Sequence, residues 1–201
     1  LPKIKGLNLK DSGGSFEVSQ TIDLEEITGV DLSDETALKE RIATAIIETI
    51  QSRTEKGESV FGGTLGNYSE SYKKSLDFIA AGKSNPVNLY LSGDMINSMD
   101  LLEDDGSTLK IGFRDELENA KAYGHMTGMK GNPNLEGKVK KRVFFGVTQS
   151  DLKNNILRAF KSELIAVEAG KRVIEASKAQ LDLLKKLREM IEVEEDNQNG
   201  D

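Results

Sequence analysis

The residues Asp104-Asp105-Gly106-Ser107 constrain the fold more than any other part of this chain. An Asp-Gly pair favours the tight turns that join antiparallel strands. Here it is flanked by Met99-Asp100-Leu101-Leu102 and Thr108-Leu109-Lys110-Ile111-Gly112-Phe113, two short runs that read as strands. Helical patterns lie on both sides of this hairpin. The expected class is therefore α+β: a small, twisted, mostly antiparallel sheet packed by helices, with a long C-terminal helical extension.

Ser33 is the expected N-cap of the first long helix, with Asp34 and Glu35 in its opening turn. Leu38, Ile42, Ala45, Ile46 and Ile50 fall on one face, and Gly57 is placed to end the helix. A short helix is expected from about Glu70 to Ala81, stopping at Gly82, with Asn85-Pro86 keeping it from resuming. A second short helix runs from Gly93 to about Ser98. Asp115 caps a further helix through about Tyr123. A Gly- and Lys-rich loop follows from Gly124 to Gly137, and Val139 to Val147 reads as a strand.

Ser150 opens a helical pattern through Leu152, Ile156, Phe160 and Leu164 that resumes after Gly170 and reaches Ile191. Unbroken from 151 to 192 it would be about 60 Å long. It either bends at Gly170 or packs on another chain. The expected division is an N-terminal arm over 1–32, an α+β core over 33–150, the helical extension over 151–192 and a disordered acidic tail over 193–201. Within the arm, Phe16-Glu17-Val18 and Ile22-Asp23-Leu24 form an edge strand or an ordered arm.

The 201 residues are 37% hydrophobic and 30% charged, enough for one domain's core. The formal charge of −7 argues against nucleic-acid binding by the chain as a whole. With no Cys, thiolate sites and Cys nucleophiles are excluded, and a single His excludes metal sites built on two imidazoles. No cofactor and no metal are expected. The apolar run Ile42 to Ile47 falls far short of the 18 or more residues of a membrane span, and no apolar stretch follows Lys3 and Lys5 as in a targeting segment.

Fragments that resemble catalytic motifs fail on spacing. Ala81-Gly82-Lys83-Ser84 looks like the end of a phosphate loop, but Asp77 stands where that loop needs Gly. Gly62-Gly63 and Gly66 read as a flexible loop, and Glu103, Asp104 and Asp105 as turn acids. His125 has no nucleophile elbow to serve; a hydrolase would have to pair it with Ser92 or Glu118.

Charge is distributed unevenly. Lys121, Lys130, Lys138, Lys140, Lys141 and Arg142 face the lone acid Glu136, giving residues 121–150 a charge of +5. The flanking stretches sum to −10 and −2. This is either a solvated loop beside an edge strand or a basic patch for an acidic surface on a neighbouring subunit. Lys130, Lys138, Lys140, Lys141 and Arg142 are the candidate partner-interaction residues. A DNA-binding regulator using the 130–142 loop is a weaker reading.

Five ordered segments carry a resemblance to a known family. They are Tyr68-Ser69-Glu70-Ser71-Tyr72-Lys73-Lys74; Val87 through Leu91 into Ser92-Gly93-Asp94-Met95 and on to Met99; the hairpin end Ile111-Gly112-Phe113; Ala122-Tyr123-Gly124-His125-Met126-Thr127-Gly128; and Lys141-Arg142-Val143-Phe144-Phe145-Gly146-Val147 on to Leu152. Together they resemble the phage virion-morphogenesis, or tail-completion, family of neck proteins. The resemblance implies a structural virion subunit that forms a homo-oligomeric ring at the head–tail neck, after assembly in the host cytoplasm.

Its implied partners are itself, portal or adaptor proteins, and tail-tube or tail-terminator proteins, with genomic DNA only passing through the channel and no membrane. A tail terminator capping the tube is the nearest alternative. Ser92, Gly93, Tyr123, His125, Gly128, Phe145 and Gly146 are its structural motif positions, and no catalytic residue is implied. Family members often end soon after the Arg142–Gly146 stretch, whereas this chain continues for about fifty residues. The first thirty residues have no counterpart. Both ends are expected to be contact arms.

Overall fold

The computed structural model describes residues 4–90, 92–129, 140–168 and 185, with the backbone alone over 162–168. Strand β1 (Leu7–Asp11) and strand β2 (Phe16–Asp23) open the chain, followed by a short helix α1 (Leu24–Thr28) and the long helix α2 (Thr36–Glu55). The short helices α3 (Glu70–Lys73), α4 (Leu76–Ala80) and α5 (Asp94–Asn97) lead to the hairpin of β3 (Met99–Asp105) and β4 (Thr108–Phe113). Helices α6 (Glu116–Thr127) and α7 (Gln149–Glu168) complete the order. The four strands form one antiparallel sheet in the order β1-β2-β4-β3, so the α+β class holds.

The hairpin signal at Gly106 is obeyed, with Gly106 at φ +56° and the strands closing to a two-residue turn. The N-terminal expectation is corrected. Residues 7–23 are no arm: they supply two of the four strands, and β2 lies inside the sheet between β1 and β4. Its alternation explains why. Val18 and Ile22 are fully buried, as are Leu109 and Ile111 of β4, and the register sets Gln20 against Ile111 and Ile22 against Leu109. These residues line one apolar face, because successive side chains alternate across a strand. The other face carries charges in ladders, with Lys110 reaching Glu103 at 2.9 Å and Glu17 at 3.3 Å.

The apolar face joins one core with α2, α6 and the start of α7. On α2, Leu38, Ile42, Ile46 and Ile50 are buried as the spacing predicts. Ser33 does not cap it. Its hydroxyl is engaged by the Asp31 carboxylate, and the helix starts at Thr36 after Glu35, with no side-chain cap. Lys39, only 3% exposed, folds back instead to Asp104 at 2.5 Å and to the Gly106 carbonyl at 2.9 Å, tying α2 to the hairpin. The helix ends at Gly57 (φ +74°), where Pro86 leaves no room for a Cβ.

Helix α7 packs along α2. Leu152, Ile156, Ala159 and Phe160 are buried, and Thr49 donates to Asn155 at 2.7 Å. The helix therefore belongs to the core through Phe160 rather than starting as an appendage. The remainder of the expected extension, the Gly170 bend and the acidic tail lie outside the described residues. Among the described residues no helix is long and apolar enough to cross a membrane.

A candidate interaction cleft

The expected strand over 139–147 is absent from its described part. Residues 140–148 run without joining the ladder, because side chains take the places of a neighbouring strand. Gln20, 1% exposed, accepts from Val147 N–H at 2.9 Å and donates to the Val147 carbonyl at 3.1 Å. Arg53 donates to the carbonyls of Phe144 at 2.9 Å and Gly146 at 2.6 Å. Val60 N–H donates to the Val143 carbonyl at 3.0 Å, and Arg142 N–H to the His125 carbonyl at 2.7 Å. A segment satisfied in this way needs no sheet edge.

Several motif residues have structural roles here. Phe144 and Phe145 are fully buried, and the Phe145 ring lies 5.2 Å from that of Phe113. Gly146 (φ +103°) lets Ile4 approach to 3.0 Å of where a Cβ would stand. Tyr123 packs on Phe16 with centroids 4.9 Å apart. Gly128 (φ +72°) ends α6, one turn beyond the expected Tyr123, donating its N–H to the Gly124 carbonyl. None of these four, Tyr123, Gly128, Phe145 and Gly146, lines the cleft described next.

The expected helix over 70–81 is broken in two. Ser69 accepts from Tyr72 N–H and Ser75 from Phe78 N–H, each at 3.2 Å, so each serine starts its own turn. Neither α3 nor α4 buries a residue. What holds them is a trio of rings, Tyr68, Tyr72 and Phe78, with centroids 5.2–5.6 Å apart. This flap forms one wall of a cleft of about 490 Å³.

The cleft's apolar lining comes from Tyr68, Tyr72, Val87, Leu89 and Met95. The lining also includes His125 from the last turn of α6 and the neighbouring Lys140 and Arg142. Ser92 and Gly93 are part of the lining as well. At Gly93 (φ +91°) the Tyr90 ring comes to 3.1 Å of a Cβ position, so the turn needs glycine. Leu89, a bulky residue, sits at φ +56° in the cleft wall. Such a conformation is costly for a branched side chain and persists only where its surroundings impose it.

Thus Ser92, Gly93, His125, Lys140 and Arg142, chosen from sequence at distant positions, share one cleft. Lys141 is exposed and not part of its lining. Lys130 and Lys138 lie outside the described residues. The lining also includes residues not singled out as site residues: Lys83, Leu89 and Lys121. Lys83 appeared in sequence only as a failed phosphate-loop lysine. Its ammonium instead donates to the Tyr90 carbonyl and to Asn88 at 3.2 Å, and lies 5.8 Å from the Tyr68 ring centre.

The cleft's electrostatics are cationic. Lys121 pairs with Glu118 at 2.6 Å. Among the described residues, Lys83, Lys140 and Arg142 meet no carboxylate, and Asp94 is the one acid in the lining. Burial pushes the His125 imidazole down to about 4, and the Arg142 cation beside it adds to the shift. Arg142 is itself lowered by burial, with Tyr68 opposing. The imidazole is therefore neutral at pH 7, and its Nδ1 is buried with no hydrogen-bond partner among the described residues.

The hydrolase pairing is not assembled. The Ser92 hydroxyl donates to Asp94 at 2.6 Å, and Glu118 accepts from Lys121. No hydrogen bond among the described residues joins either to His125. The chain matches no family model, no curated protein and no solved structure in comparisons with each.

Proposed function

We propose that the protein is a structural subunit of a tailed-phage virion, a neck or tail-completion component. It oligomerises in a ring around the DNA channel and joins the DNA-filled head to the tail. One observation carries this reading: the five segments that resemble the neck family are spatially one unit. Tyr68 and Tyr72, Ser92 and Gly93, and His125 with Arg142 line the same cleft. Phe113 at the hairpin end packs on Phe144 and Phe145, with centroids 6.3 and 5.2 Å away.

The chemistry around that unit favours contact over catalysis. Ser92 is turned to Asp94 and Glu118 to Lys121, neither to His125, while cations stand over apolar and aromatic walls. Such a mixture suits recognition of another protein surface. Native mass spectrometry and electron microscopy of the purified protein, alone and with tail proteins, test the reading. The expected result is a closed ring that joins tails and is found in virions. A strictly monomeric protein absent from virions overturns it.

A further inference from the structure

We propose that the cleft is the receptor for an acidic segment of a second copy, the run Glu192-Val193-Glu194-Glu195-Asp196. This rests on the assembly reading and names the contact it would use. Three observations support it.

The first is the charge imbalance. Lys83, Lys140 and Arg142 converge on the cleft with no described carboxylate to neutralise them, against Asp94 alone. A guanidinium and two ammonium groups beside a partly enclosed apolar wall favour carboxylates, and Arg does so with directional hydrogen bonds. The second is the lining. Val87, Leu89 and Met95 with the two tyrosines offer an apolar floor, so the fitting ligand carries an aliphatic group between its acids. A volume of about 490 Å³ admits a few side chains, not a folded domain.

The third is the supply of acids within the chain. Other acidic runs are engaged: in Glu103-Asp104-Asp105, Asp104 pairs with Lys39 at 2.5 Å and Glu103 with Lys110 at 2.9 Å, and in Asp115-Glu116-Leu117-Glu118, Asp115 caps α6 while Glu118 pairs with Lys121 at 2.6 Å. Residues 192–201 hold five acids and no base, and their first five place Val193 between Glu192 and Glu194. The pattern matches the cleft in both charge and apolar content. A segment of one copy seated in the cleft of the next is a head-to-tail contact, which generates rings when the rotation closes.

The test uses the full chain with Glu192, Glu194 and Glu195 changed to Gln and Asp196 to Asn, which leaves the cleft free for a probe. The probe is a fluorescent synthetic peptide of residues 190–201, followed by anisotropy. The peptide is expected to bind, to weaken as salt rises, and to weaken about tenfold or more on Lys140→Glu. Lys140 is exposed, so that change spares the fold, and Lys83→Gln is a second variant expected to weaken binding. A peptide with its acids replaced by amides is expected not to bind.

Binding that ignores both Lys140→Glu and Lys83→Gln overturns the proposal, as does no binding at all. Displacement by inorganic phosphate at concentrations comparable to the peptide makes this a general anion site and overturns it too. Native mass spectra of the unaltered chain separate the two readings. A monomeric chain refutes the ring and docking onto a second copy together, whatever the peptide does; an assembled chain that ignores the peptide refutes this docking alone.

Discussion

Acid should destabilise this protein over a window set by one residue. His125 stands in the last turn of α6, where a helix C-terminus favours the imidazolium. Burial and the neighbouring Arg142 cation outweigh that, pushing the imidazole from 6.5 to about 4. The unfolded chain therefore binds a proton that the folded one refuses between these values. Stability from this residue is complete above pH 6.5, falls as pH drops through the window, and levels off below about 4.

At about 1.4 kcal/mol per pH unit, the whole effect is roughly 3 kcal/mol, of which about 2 is lost by pH 5. Urea unfolding followed by circular dichroism at pH 7.5, 6 and 5 measures it. The unaltered protein should lose about 2 kcal/mol across that range, and His125→Gln should lose little of it. The acids with lowered values do not interfere. Asp31, held at about 2 chiefly by hydrogen bonds from Ser33 and Ser107, releases its contribution only below 3.8, and Glu17, lowered chiefly by Ser19, only below 4.5. Equal pH slopes for the two proteins would refute the reasoning.

Two further changes test the framework that carries the cleft. Asn119, 9% exposed, accepts from Val18 N–H at 2.9 Å and donates to the Phe113 carbonyl at 2.5 Å; Asn119→Ala strands two backbone groups and should cost roughly 3 kcal/mol in urea unfolding, with a loss below about 1 contradicting the role. Gly112 sits in β4 where a Cβ would lie 2.7 Å from the Val18 carbonyl oxygen and 2.9 Å from Leu102 Cδ1; Gly112→Ala should lower stability by roughly 2 kcal/mol, and an unchanged midpoint would show that β2 and β4 can spread at no cost.

What could be read from the sequence was local. Gly106 placed its turn and Asp115 its cap, accepting from Leu117 and Glu118 N–H, since those residues act within a few positions of themselves. What depended on distant partners was missed. The short apolar bits of Phe16–Asp23 looked marginal because, beside its local partner β1, the strand's other neighbour is β4, far along the chain. The Arg142–Val147 run looked like a strand because it is rich in Val and Phe, yet Phe144, Phe145 and Val147 are all buried and its backbone bonds go to Gln20 and Arg53 rather than to a ladder. Ser33 is a local miss: serine is a usual cap, but Asp31, two positions before it, claims its hydroxyl.

The cleft was half legible for the same reason. Ser92, Gly93, His125 and Arg142 stood out in motif-like segments. Their convergence, and the arrival of Lys83 from beyond the flap, are properties of the folded chain alone. The serines that split α3 from α4 were visible, but each is an ordinary helix residue until its hydroxyl is seen at the N-terminus of a turn.

The bonds from Gln20 to Val147 join positions 127 residues apart. Read as an order of events during synthesis, this means that the second strand made is among the last parts to be finished. β2 leaves the ribosome with its inner edge open until β4 arrives, and with Gln20 unsatisfied until residue 147 does. Unpaired edges of that kind invite wrong partners. The protein's most exposed moment therefore comes before its C-terminal third is made, and crowding of nascent chains on one message should bear hardest on that interval.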